Sequence, residues 1–295
     1  MPRPSHHRPR RLGALALCAA LSALTAACTG SPSTPDTAAP RHPPSAPPPA
    51  AVSYGMPEDP ASMVLPTTGA GTRWTQGLDA FGKLAGAWAV DRCARRLGET
   101  APDSPPPMFT RYQAVPDLPF LAAHGFREGA LVPGAPPVAR STTDPLTPPG
   151  PRLRGCLAEG GTVARDLAEV YARLQSDWFA EIAPVDRAPD VREAFAGLGR
   201  CLADHQVDAR DEEAFFGLVD QRLQAADADA ARSLGRVYAT CMKPVEAVRE
   251  PLREKAAVSF RVSHAAEIAR VRTELPRKIS ELEKRYRIRI SFPEL

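Results

Sequence analysis

From Val163 to Tyr286 large apolar residues return every third or fourth position, a spacing that puts one buried stripe on each of several helices and leaves little room for strands. Val163, Leu167, Val170, Leu174 and Trp178 make one run. Val191, Phe195, Leu198 and Leu202 make another between Asp190 and Asp204, with Cys201 beside it. Asp211 stands where an N-cap belongs before Phe215, Leu218, Val219 and Leu223, and Asp227 does the same before Leu234, Val237, Tyr238 and Cys241. A longer helix is expected from about Pro251 to Tyr286, with Ile268, Val271, Leu275, Ile279, Leu282 and Tyr286 on one stripe and i,i+4 pairs such as Glu274–Lys278 and Glu281–Arg285 on its other faces. Pro276 lacks a backbone donor and should bend or interrupt that helix near Thr273. The one clear alternating run of strand length, Arg287-Ile-Arg-Ile-Ser-Phe292, comes at the end.

Upstream, Arg73 to Leu97 carries Trp74, Leu78, Phe81, Leu84, Trp88 and Cys93 near one face, a further amphipathic helix whose apolar side needs a partner. The expected fold is therefore all-α: residues 160–288 form one antiparallel bundle with a long C-terminal helix, and the helix at 73–97 docks onto it. Between them, Gly98 to Arg154 is a proline-rich, mostly irregular insertion. It is interrupted by a short helix that Asp117 can cap with Pro119 in its first turn. Residues 28–72 are rich in Pro, Ala, Ser and Thr, cannot bury a core by themselves, and read as a disordered tether. The folded domain then covers residues 73–290.

The first residues carry an address. Arg3, Arg8, Arg10 and Arg11 precede an apolar stretch from Leu12 to Ala27 that is too short to span a bilayer, and Leu24-Thr25-Ala26-Ala27-Cys28 closes it. That is the form of a bacterial lipoprotein signal, with residues 1–27 removed and the Cys28 thiol acylated. The expected location is the outer face of the cell membrane, with the bilayer as a partner. Arg10-Arg11 resembles the twin-arginine pair, although Ser before it and Phe-Leu after it are absent. Without the four leader arginines, 37 basic residues become 33 against 34 acidic, so the formal +3 falls to about −1 and leaves no electrostatic footprint for nucleic acid.

Of six cysteines, Cys18 leaves with the leader and Cys28 is committed to lipid, so Cys93, Cys156, Cys201 and Cys241 remain for an oxidising compartment. Four cysteines permit three pairings. The expected one joins sequence neighbours, Cys93–Cys156 and Cys201–Cys241, each on or beside an apolar helix. A zinc site is disfavoured, because the four are widely spread with no Cys-x-x-Cys pair.

No Gly-x-Ser-x-Gly elbow, His-Glu-x-x-His, Walker A loop or Gly-x-Gly-x-x-Gly occurs, so no catalytic residue, cofactor or metal is assigned and a non-catalytic role is preferred. Leu65-Pro-Thr-Thr-Gly69 spells a sortase recognition string, but it precedes a soluble helix and is read as a product of biased composition. His264 and Glu267, a turn apart, read as a solvated helix face rather than half of a di-iron site. The acidic run of Asp204, Asp208, Asp211, Glu212 and Glu213, with His205, reads as caps and first-turn acids rather than a calcium loop. Trp74, Trp88 and Trp178 read as core.

Read together, Arg92-Cys93-Ala-Arg-Arg-Leu-Gly98, Gly155-Cys156-Leu, Leu198-Gly-Arg-Cys201-Leu and Val237-Tyr-Ala-Thr-Cys241 resemble a group of secreted actinobacterial proteins, many of them lipoproteins. The resemblance covers about residues 73 to 290 and implies a helical domain with four cysteines outside the membrane. It implies no activity. The leading expectation is a non-catalytic module that meets an envelope protein or a cell-wall partner. The alternative is a lipoprotein that binds a small molecule or cell-wall ligand in a pocket lined by Phe109, Tyr112, Phe120 and Phe126.

Overall fold

A computed structural model describes residues 51–101, 107, 109, 115–126, 131–136, 149–225 and 227–294. The leader 1–27, the acylation candidate Cys28, the first part of the tether and Tyr112 lie outside the described residues. The described chain is all-α apart from a two-residue ladder, in which β1 (Val52–Ser53) pairs antiparallel with β2 (Phe292–Pro293). Between them lie α1 (Gly69–Arg96), α2 (Leu118–His124), α3 (Pro151–Ala168), α4 (Ala172–Ile182), α5 (Pro189–Ala196), α6 (Leu198–Asp204), α7 (Glu212–Gln224), α8 (Ala228–Ser263) and α9 (Ala265–Tyr286).

The helices do not close around one core, as the single expected bundle requires. They make two. The first gathers Leu78, Phe81 and Leu84 of α1, Leu167 of α3, Trp178 of α4, the α9 stripe from Ile268 to Tyr286, and Phe292. The second gathers Leu121 of α2, Val191 of α5, Leu202 of α6, and Phe215 and Val219 of α7. α8 belongs to both: Tyr238, Met242 and Val245 enter the second core, while Ala257 and Phe260 enter the first. Its 36 residues give it a length of about 54 Å, and with it α8 reaches both cores.

α1 and α3 pack backbone to backbone. A Cβ on Gly86 would stand 2.9 Å from the Gly160 carbonyl oxygen, and one on Gly160 would stand 2.7 Å from the Gly86 carbonyl oxygen. One heptad on, Cys93 is bonded to Cys156, with Cα atoms 5.4 Å apart, while a Cβ on Gly82 would touch Leu167. The partners run in opposite directions, so the two helices are antiparallel. The second bond joins Cys201 of α6 to Cys241 of α8, with Cα atoms 5.6 Å apart. On the chain-entropy model, loops of 63 and 40 residues make each bond a constraint of about 4 kcal/mol on the unfolded chain.

Four sequence boundaries need correction. The folded part begins near residue 51 rather than 73, because Met63, Val64 and Leu65 are buried and the segment before α1 is pinned from outside. Arg272 of α9 donates to both Asp59 carboxylate oxygens (2.9 and 2.7 Å), Trp178 Nε1–H donates to the Pro66 carbonyl (3.0 Å), and Arg253 Nε–H donates to that of Thr67 (2.9 Å). The long terminal helix is really two, parted at His264 rather than bent at Pro276. His264 leaves helical geometry and stacks on Phe260 at 4.1 Å, while buried Leu275 and Ile279 carry α9 through its proline. Likewise the 163–179 and 190–204 runs each divide, at Glu169–Tyr171 and at Gly197.

Gly160→Ala should cost about 1–3 kcal/mol in chemical denaturation, since the new methyl meets backbone that cannot yield. Gly161→Ala, next along the same helix with nothing within 4 Å, should instead gain about 0.5–1 kcal/mol. Loss of stability in both would refute the close crossing. The Arg272 guanidinium holds the Asp59 carboxyl below the ordinary aspartate range, so its contribution is present above the unfolded value of about 3.9 and is lost as pH falls through the lower folded value. Asp59→Asn should therefore flatten the melting temperature against pH in that acid window and leave the neutral-to-alkaline part of the profile parallel to wild type.

Candidate functional site

Two prolines make the middle of α8 unusual. Pro244 and Pro251 lie inside the helix, seven residues apart and both exposed. Neither has an N–H, so the carbonyls of Thr240 and Ala247, four residues before them, lose their regular intrahelical donors. Both Thr240 and Ala247 line an open cleft of about 930 Å³. Its opposite wall is apolar, formed by Pro116 and by Leu118, Pro119 and Ala122 of α2, and it is closed at one end by Thr68 and the first turn of α1. A cavity of that size with an apolar wall and a few placed polar groups has the proportions of a small-molecule site.

The sequence holds those walls together. Asp117 caps α2 by accepting from the Phe120 N–H (3.2 Å) and lies 2.6 Å from Arg73 Nε of α1, while the Thr72 hydroxyl donates to the Val115 carbonyl (2.6 Å). Burial raises the Asp117 carboxyl above its ordinary range, against the lowering pull of the Phe120 N–H and Arg73.

Below the cleft floor lies a buried charge cluster. Glu246 accepts from Arg249 Nη1 (3.1 Å) and Arg253 Nη2 (2.5 Å), and all three residues are buried. Arg249 Nη2 also reaches Asp186 at 2.8 Å, and its guanidinium lies 4.5 Å from the centre of the Phe195 ring. Burial works against the charge on Arg249. Asp186 and Glu246 outweigh it and raise the guanidinium pKa further. Glu246, Glu250 and Glu254 follow one another at i,i+4 spacing along the cleft, and Lys243 precedes them. Glu246 is spent on its arginines, whereas Lys243, Glu250 and Glu254 have no ion-pair partner among the described residues.

The aromatic pocket expected from the sequence is not formed. Phe109 is buried in the first core, Phe120 is buried against His124, and Phe126 packs among Phe215, Phe216 and Tyr238 in the second. Large aromatic rings in a proline-rich stretch go where most area is buried, and the cleft is left to prolines, alanines and charges. All three tryptophans lie in or pack against the first core. Trp178 is fully buried, Trp74 meets Phe292 edge-on at 4.6 Å, and Trp88 donates to the Gly134 carbonyl at 2.8 Å. Leu65 is buried and Thr68 caps α1, so the sortase-like string is part of the fold. Asp211 caps α7 through the Ala214 N–H (2.8 Å), which lowers its pKa. Cys201, Cys241 and His205 lie within 4.8 Å of one another, but the two sulfurs are bonded to each other and offer no thiolate.

Glu246→Ala should cost about 3 kcal/mol or more in urea unfolding, because it strands two buried guanidiniums. Glu250→Ala, four residues on and without a partner among the described residues, should stay within about 0.5 kcal/mol of wild type. Equal costs would show that the cluster does not hold the fold. Comparison with known proteins supplies no relative: no family model, no curated protein and no solved structure matches this chain.

Proposed function

We propose that this chain is an extracytoplasmic lipoprotein that binds a ligand in the cleft along α8. The cleft carries the reading, because it joins an apolar wall to main-chain acceptors and uncommitted charges in one concavity. Support for the anchor comes from the arginine-rich leader, its short apolar stretch and Cys28. No helix among the described residues is long and apolar enough to cross a membrane. A non-catalytic interaction module is the second reading. It is favoured by Val258 and Val262 of α8, which are 64% and 77% exposed beside Leu252, Ala256 and Pro184.

Two measurements check the two halves. Labelled palmitate should enter the wild-type chain in a bacterial host and not Cys28→Ala, and equal labelling of both overturns the anchor. Thermal-shift screening of the full chain with small polar metabolites and short peptides should yield ligands that Ala247→Trp, which fills the cleft, no longer accepts. Ligands that bind the variant unchanged overturn the cleft as the site.

A further inference from the structure

The uncommitted groups of the cleft are arranged by charge along α8. Lys243 stands at one position, and Glu250, with Glu254 one turn beyond, stands two turns away. Seven residues of helix separate Lys243 from Glu250, about 10.5 Å along the axis. The Ala247 carbonyl, freed by Pro251, lies between them on the same wall, and the Thr240 carbonyl, freed by Pro244, lies just before them. Glu246 takes no part, since its two oxygens are taken by Arg249 and Arg253.

A ligand that satisfies all of these groups must carry a cation at one end, an anion at the other, and an N–H donor between them. An extended peptide advances about 3.3–3.6 Å per residue, so three residues span about 10 Å. We propose that the cleft binds a short peptide of about three residues with both termini free. Its ammonium group sits at Glu250 and its carboxylate at Lys243, and a central N–H donates to the Ala247 carbonyl. Small side chains lie against Pro116, Leu118, Pro119 and Ala122. Glu254 shares the cleft with the first turn of α1, and the positive end of a helix dipole favours a carboxylate in its own right, so Glu250 is the residue that carries the test.

This rests on the cleft being the ligand site, and tri-alanine is the probe that separates the two claims. Titrated into the full chain and followed by calorimetry, tri-alanine should bind, and both N-acetylation and C-amidation should weaken it by about tenfold or more. The loss should be residue-specific. Glu250→Gln should abolish the preference for a free over an acetylated N-terminus while keeping the preference at the C-terminus, and Lys243→Met should do the reverse. Pro251→Ala returns an N–H to the Ala247 carbonyl and should weaken all three peptides alike. Circular dichroism of each variant should match wild type, as these residues have no buried partner to lose. Absence of binding at about 10 mM tri-alanine, or equal affinity for free and blocked peptides, overturns the proposal. If other ligands still bind wild type and fail with Ala247→Trp, the cleft reading survives that result. If none does, both fall.

Discussion

A single buried carboxylate, Glu246, sets the terms on which two apolar cores share one helix. Either side of it α8 is held by ordinary packing, Tyr238 and Met242 in one core and Phe260 in the other. At the crossing the chain places charge instead. One carboxylate between two guanidiniums leaves an excess of positive charge, and Asp186 offsets it from the turn between α4 and α5. The remaining donors are distributed outward, Arg253 to the Thr67 carbonyl and Arg249 over the Phe195 ring, although Arg249 Nε has no acceptor among the described residues. Removing water from such groups is costly, and the geometry compensates by adding outside partners, Asp186, the Thr67 carbonyl and the Phe195 ring, from three other segments to the pairs made within α8. The cluster therefore positions the lead-in to α1, the turn after α4 and α5 relative to α8.

Much of the helix inventory was legible because it is local. Asp117, Asp211 and Asp227 could be read as caps from their place before apolar runs, and their side chains accept from Phe120, Ala214 and Ala230. What could not be read was which stripe meets which. A three-or-four spacing says that Leu202 and Leu275 are buried but not that they lie in separate cores. Proline misled twice. Treating Pro251 as a start and Pro276 as a break gives a proline full weight against continuation, whereas several buried side chains on each flank outweigh a loss of about 3 kcal/mol. The segment 51–68 was missed for the opposite reason: its partners, Arg272, Trp178 and Arg253, are remote in sequence, and Met63-Val64-Leu65 is too short to show a period.

The candidate site was less legible than the fold. Attention to aromatic residues leads to Phe109, Phe120 and Phe126, which are core. The informative signal was the pairing of two prolines one heptad apart with glutamates at i,i+4 spacing, a combination that disfavours a plain solvated helix twice over, through lost donors and like-charge repulsion. Such a stretch invites the question of what donates to the freed carbonyls. Only the three-dimensional arrangement shows Thr240 and Ala247 sharing one cleft with the apolar residues Pro116, Leu118, Pro119 and Ala122.

The covalent links have a distribution of their own. Cys93–Cys156 ties α1 to α3 within the first core, and Cys201–Cys241 ties α6 to α8 within the second. Neither spans the crossing. Oxidation thus stiffens each half separately, and the seam between them is joined by α8, by Val185, which packs against both cores, and by ionic contacts such as Arg249–Asp186. Anything seated against α8 from Lys243 to Glu254 therefore touches the stretch of helix that passes from one core to the other, where no disulfide reinforces the chain.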